Sequence, residues 1–199
     1  MAIKIQYNKS AIQQYRKQLE IREKALPTLQ SKETALRMEV KKSKQALESK
    51  QKQVEEEMKK LENMDRFWVE FPELIQIKNA EVKIRNIAGV RIPLLASVNY
   101  EVADYALFSQ PAWIPTGVDI LKKIIRLRVE IKITERQFQI LNLARKKTTQ
   151  KVNLYEKVQI PQYQNAMRMV KRFLEDKENL SKAAQKLVKK RHEGKEAAA

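Results

Sequence analysis

The sequence predicts an all-α-dominated protein: two long helices in an antiparallel left-handed coiled coil, with a small β-hairpin-containing insert at the turn end. Three observations carry this expectation. An apolar residue returns at every seventh position through the first third of the chain, and again through the last third. Between these stretches lies one that alternates with period two. A repeat of seven held this long winds helices about each other left-handedly, whereas alternation marks a half-buried strand.

The first seam reads Ile12, Leu19, Leu26, Glu33, Val40, Leu47, Val54 and Leu61, with one polar entry. Its companion three residues on, from Tyr15 and Arg22 through Leu29, Leu36, Ser43, Lys50 and Glu57 to Met64, is apolar at both ends and polar in the middle. Ser10 with Gln13 is the expected capping box. A helix from there to Met64 spans about 80 Å at roughly 1.5 Å per residue. Pro27 interrupts the hydrogen-bond ladder, but the seam keeps its register across it, so a kink is expected rather than a break.

Ala80, Val82, Ile84, Ala88, Val90 and Ile92 alternate with mostly charged neighbours, and Val98, Tyr100 and Val102 repeat the alternation after Pro93 to Ser97. The expected hairpin runs from about 80 to 104, turning at that proline-led stretch. The second long helix is expected to start at Thr116, with Asp119 as capping partner. Its seam reads Ile124, Ile131, Phe138, Arg145, Val152, Gln159, Ala166, Phe173, Leu180 and Leu187. Companion positions include Ile120, Leu127, Leu141, Tyr155, Met169 and Ala183. Arg145 and Gln159 interrupt it. The expected divisions are therefore 1–66, 67–116, 117–192 and a frayed tail, 193–199.

Antiparallel pairing sets opposite one another positions whose numbers share a constant sum, and 188 is the expected value, with one heptad either way also allowed. It faces Leu47 with Leu141, Leu36 with Val152 and Tyr15 with Phe173, and brings Pro27 level with Pro161. The second helix then overhangs the first, carrying Lys182, Lys186, Lys189, Lys190 and Arg191 on a lone basic tip.

Composition narrows the function. Of 199 residues 33% are charged and 7% aromatic, a balance suited to long solvated helices rather than a thick core. The net charge of +17 implies an acidic partner surface, nucleic acid or an anionic membrane. With no cysteine, disulfides and Cys-based zinc sites are excluded. No stretch reaches the roughly 18 apolar residues that span a bilayer, and Met1 to Asn8 has no signal-like apolar core, so a soluble, cytoplasmic protein without membrane insertion is expected.

Catalytic chemistry has little to work with. The lone histidine, His192, sits in a charged tail, and no glycine-rich loop exists to cradle phosphate. Glu55, Glu56 and Glu57 read as solvated face charges among lysines, and Arg145 as a side chain whose stem lies along apolar surface. No catalytic, metal or cofactor residue is expected. The aromatics Phe67, Trp68, Phe71, Phe108 and Trp113 serve either as a docking patch or as packing for the insert. The lysines are spread along both helices without interleaved aromatics, which argues against direct nucleic-acid binding. From residues alone, a coiled-coil scaffold or adaptor and a basic nucleic-acid-binding coiled coil stay open.

Three segments carry a family resemblance. Leu26, Leu29, Lys32, Glu33 and Leu36 fall like a Leu-rich "LLKxKRDxL" stretch, with Ser31-Lys32-Glu33 in place of Lys-Arg-Asp. Asn86 to Pro93 is similar to a "GVxxP" segment. Lys151 to Pro161 is similar to "RRVNALExxxIP", agreeing at Val152, Asn153, Glu156, Ile160 and Pro161 and departing at Gln150-Lys151 and Leu154-Tyr155. Phe173 to Glu178 follows in the same order. In these the chain resembles the D subunit of the V-type (A/V-type) ATPases and ATP synthases, the central rotor shaft. The resemblance implies a non-catalytic component whose paired helix ends enter a ring of catalytic A and non-catalytic B subunits. It implies that the insert meets the F subunit and the component capping the membrane ring, with Val82, Ile84, Val90, Ile92, Trp68 and Trp113 as docking candidates. It further implies coupling of ATP hydrolysis or synthesis to proton or sodium transport, with the tip from Lys182 to Arg191 in the bore.

Overall fold

The computed structural model describes residues 5–61, 69–104 and 111–196. Met64, Phe67, Trp68 and Phe108, and the side chain of His192, lie outside the described residues. Helix α1 runs Lys9–Leu61, strands β1 and β2 run Ile75–Ile87 and Val90–Val102, and helix α2 runs Ile114–Asn153. A π-helical segment, Leu154–Gln159, then leads into helix α3, Ile160–Glu196. The chain divides into two compact units, Met1–Ser31 with Thr149–Ala199, and Lys32–Thr148.

The ends of the long helices differ from the sequence expectation. The cap of α1 is Asn8, whose Oδ1 accepts the Ala11 N–H at 2.6 Å, so Ser10 already lies inside the first turn. Asparagine caps at least as well as serine, and from position 8 it reaches the third helical residue. Helix α2 begins at Ile114, ahead of Thr116, because the turn at 111–113 closes through the Ile114 N–H onto the Pro111 carbonyl. Pro115 then sits in the first turn, where its missing N–H is harmless. α1 continues unbroken through Pro27, and α3 runs on to Glu196, into the stretch expected to fray.

In the first unit, α1 and α3 run antiparallel. Ala11, Tyr15, Ala166 and Val170 form a buried cluster, joined by Ile5, Ile12, Tyr163, Met167 and Leu174. Tyr7 meets Phe173 with ring centroids 4.9 Å apart, and Tyr15 meets Tyr163 at 6.2 Å. The Gln6 backbone N–H donates to Tyr15 Oη at 3.0 Å, tying the entering chain to the seam.

The second unit is also an antiparallel pair, here of α1 and α2. Leu36 and Leu141 are buried together, and Lys50 and Glu57 reach Glu130 and Lys123. The sums of facing positions cluster near 180 in each unit, one heptad below the expected 188. Leu141 accordingly meets Leu36 and Val40 rather than Leu47, Tyr15 meets Tyr163 rather than Phe173, and Pro161 is not level with Pro27. A heptad pattern fixes which faces meet but not their offset along the axis, so this slip leaves the pattern intact.

The hairpin is longer than expected and turns elsewhere. β1 and β2 pair antiparallel from Ile75↔Val102 to Ile87↔Val90, with register shifts at Ile77/Asn79 and Glu81/Val82. The turn is Ala88-Gly89, both at positive φ (51° and 85°), the two-residue geometry that matches strand twist. Pro93 to Ser97, expected as the turn, lies within β2. A two-stranded sheet leaves each strand one unpaired edge, where a proline without N–H is tolerated.

The hairpin lies along α2. At its base Leu74, Ile114 and Val118 are buried with Phe71, Ile75, Val102 and Trp113 against them. Midway, Tyr100 Oη donates to the Lys122 carbonyl at 3.2 Å and Gln137 Nε2 donates to the Pro93 carbonyl. At the tip, Ile92 is buried with Leu36 and Leu141, flanked by Ile87 and Val90. Twelve strand steps of about 3.3 Å and the helix stretch from Val118 to Leu141 at about 1.5 Å per residue both come to roughly 35–40 Å. The two elements therefore match in length.

Leu141 is fully buried where helix pair and hairpin tip converge. Leu141→Ala is expected to lower stability by about 2–5 kcal/mol, read by urea unfolding. Ala88→Asn, placing a residue that tolerates positive φ at the turn, is expected to raise it by about 0.5–1 kcal/mol in the same assay.

Candidate functional site

No enclosed constellation of reactive groups organises the described residues, so the functional surfaces are built from the helices and the hairpin. Among the described residues no group of His, Cys, Asp and Glu could hold a metal ion, and no helix is long and apolar enough to cross a membrane. What the structure brings together instead are the polar residues that interrupt the two seams.

Arg22 and Gln159 each break an apolar series, and in the first unit they meet. Arg22 Nε donates to Gln159 Oε1 at 2.6 Å, while Nη1 donates to the Gln18 carbonyl and to its side-chain oxygen. The guanidinium lies over the Tyr163 ring at 4.7 Å and near the Tyr155 ring at 5.8 Å. A planar cation stacked on aromatics and bonded to an amide is satisfied at little loss of hydration. Periodicity alone does not pair these two residues, although the polar entry in each seam is the signal that could have done so.

The π-helical segment beside this clasp coincides with the family-like motif. Val152 is buried on the last turn of α2, Asn153 precedes the segment, Glu156 lies within it, and Ile160 and Pro161 follow it. The Ile160 N–H donates to the Tyr155 carbonyl five residues back, in place of the four of an α-helix. Pro161 gives the physical reason. In an α turn its ring would crowd the carbonyl four residues earlier and leave it without a donor, and widening the turn relieves the crowding.

The wide turn accommodates one extra residue, so the seam beyond it moves by one. Val170 and Leu174 face α1, while Met169 and Phe173, which an uninterrupted heptad would bury, are 49% and 43% exposed. Upstream of the segment the positions hold their places: Ile124 and Val152 are buried, and Ile131 and Phe138 half-buried. On α1 the positions Ile12, Leu19, Leu26, Val40, Leu47, Val54 and Leu61 are half-buried throughout. Arg145 stays on its own helix, donating to Asn142 Oδ1 at 3.0 Å.

In the second unit the polar middle of the α1 seam is met by charge. Lys50 Nζ lies 2.7 Å from Glu130 Oε2, and Arg126 lies 3.2 Å from the other carboxylate oxygen. Glu57 is bracketed by Lys60 at 3.0 Å and Lys123 at 3.1 Å. Burial pushes the Glu130 carboxyl up, but the hydrogen bonds and charges of Lys50 and Arg126 outweigh it and hold the group below the usual carboxylate range.

Two surfaces are left outward. Every described side chain from Glu175 to Arg191 is exposed. From Asn179 to Arg191 the chain carries Lys182, Lys186, Lys189, Lys190 and Arg191 and no acidic residue, alternating with exposed Leu180, Leu187 and Val188. On the hairpin, Val82 and Ile84 are 47% and 72% exposed, whereas Val90 and Ile92 turn inward. Trp113 is half-buried, its ring centroid 5.9 Å from that of Phe71. Trp68 lies outside the described residues.

Fold and surface together define a protein of long antiparallel helices carrying a β-hairpin insert. The family model described as that of the ATP synthase D subunit matches residues 11–190. The chain belongs to this ATP synthase D-subunit family, and as a member of a family of subunits it is a component of a multisubunit complex. It is 33% identical over 193 residues to the V-type ATP synthase D subunit of Borreliella burgdorferi, covering 94% of each chain. It is 27% identical to the corresponding protein of Chlamydia pneumoniae, over 59% of this chain and 56% of that one. The likeness to the Chlamydia muridarum protein is also 27%, over 56% and 55%.

Because the folded Glu130 carboxyl titrates below its unfolded value, its contribution is present above the ordinary carboxylate range and is lost as pH falls through the folded value. Melting temperature is expected to drop between about pH 5 and pH 2, and less steeply in Glu130→Gln. Identical pH profiles for the two proteins would count against this account of the Lys50–Glu130–Arg126 cluster.

Proposed function

We propose that this chain is the non-catalytic central-stalk rotor component of a V-type ATPase or ATP synthase. It passes torque between the ATP-hydrolysing or ATP-forming head and the membrane ring, and so couples nucleotide chemistry to proton or sodium movement. Family membership supports this reading, and one structural observation carries it beyond the family name. The basic end of α3 continues beyond the last residue packed on α1, exposed on all sides.

A shaft end turning inside a bearing must stay solvated, must avoid a fixed apolar grip, and must present different faces as it rotates. An unpaired helix of mixed lysine and small apolar residues meets those requirements. In this reading Lys182, Lys186, Lys189, Lys190 and Arg191 contact the bore formed by the catalytic A and non-catalytic B subunits. The hairpin, through Val82 and Ile84 with Trp68 and Trp113 flanking it in sequence, docks the F subunit or the ring-capping component. Val90 and Ile92 brace the hairpin from within. In the complex the chain is cytoplasmic and peripheral to the membrane.

Truncation after Ser181 tests the proposal in the reconstituted complex. ATP-driven ion transport per ATP hydrolysed is expected to fall several-fold while the isolated chain keeps its helical circular dichroism. Unchanged coupling would refute the role given to the tip.

A further inference from the structure

The first unit contains two apolar stripes on α3, one packed along α1 and the other touching only Tyr7, ahead of α1, through Phe173 and sharing Ala166 with the first. With the wide turn at Leu154–Gln159, Tyr163, Met167, Val170 and Leu174 pack on α1. Closing that turn to ordinary α geometry removes one residue from the winding and rotates everything beyond it by about 100°. The stripe then facing α1 is Ala166, Met169 and Phe173, the continuation of the heptad in force upstream. Ala166 is small and buried in the present register, and it belongs to both stripes.

Both stripes therefore offer apolar side chains at helical spacing, so neither register exposes a charged seam to α1. Sequences built for one register ordinarily place polar residues beside the seam; here Met169 and Phe173 stand there, half in solvent. The barrier between registers sits in one turn, and the closed packing keeps Ala166, Met169 and Phe173 toward α1 while Gln162 takes the place of Tyr163. Such a pair of discrete arrangements is what a bistable element requires.

We propose that the Leu154–Gln159 segment is a two-position joint, with α3 occupying two rotational registers on α1 about 100° apart. The Arg22 clasp is its latch. The stack of Arg22 on Tyr163 requires the wide turn, since closing it carries Tyr163 away from the guanidinium, and the bond to Gln159 Oε1 holds the guanidinium in place for that stack. The joint gives the helix pair a step-like torsional give at a defined height, in place of uniform bending. It is a property of the isolated chain and goes beyond the coupling role proposed above.

The chain has no cysteine, which allows a clean test by disulfide trapping in the full-length protein. Ala11→Cys is combined separately with Val170→Cys, Met169→Cys and Lys171→Cys, and crosslinking is followed under mild oxidation. Position 170 reports the present register and 169 the closed one. Position 171 is displaced by the same angle in the opposite sense and reports mere looseness. The joint predicts fastest crosslinking at 170 and crosslinking at 169 several-fold faster than at 171. Crosslinking at 169 no faster than at 171 would overturn it.

Adding Arg22→Met, or Gln159→Leu if the first variant fails to fold, is expected to raise the 169 rate several-fold and leave 171 unchanged. No change at 169 in a folded variant would overturn the latch.

Discussion

The confinement of apolar residues to narrow seams governs this molecule. A chain in which 33% of residues are charged and 7% are aromatic cannot build a thick core. What apolar surface it has is laid in seams, and each polar residue in a seam must find a partner across it or leave an uncompensated buried group. Arg22 is answered by Gln159 and two tyrosines, and Lys50 by Glu130. The hairpin obeys the same constraint. Its inward residues complete a cluster that Leu36 and Leu141 alone would leave open on one side.

Pro161 shows how a local covalent fact reaches into tertiary packing. A single missing N–H and a ring displace the hydrogen-bond pattern by one residue, and the displacement propagates as a change of face along the rest of α3. The residues similar to the family motif gather at this place, from Val152 to Pro161. The motif is thus tied to a geometry, a widened turn next to a cation clasp, as well as to a run of letters.

The seam of α1 is legible in the sequence because seven-residue spacing survives every tertiary detail, and the half-burial of Ile12 through Leu61 follows it. The β character of the insert is legible from its alternation. Its turn is not, because Ala88-Gly89 lacks the Asn or Asp that usually announces two positive-φ residues, while Pro93 looks like a stop. The offset between helices is hidden for another reason: seams one heptad apart bury nearly the same residues. The shift of the α3 stripe is unreadable from periodicity, since Met169 and Phe173 fit the pattern as well as Val170 and Leu174. The clasp needs both helices at once, and neither seam alone names its partner.

The length match between β2 and α2 binds the two segments historically. A strand advances about 3.3 Å per residue and a helix about 1.5 Å. Lengthening each strand by two residues would carry the Ala88-Gly89 loop past Leu36 and Leu141 unless α2 gained four or five. Insertions and deletions in the hairpin and in the helix beneath it should therefore arise together among descendants of this chain, about two helix residues for each residue added to one strand, a proportion set by backbone geometry alone.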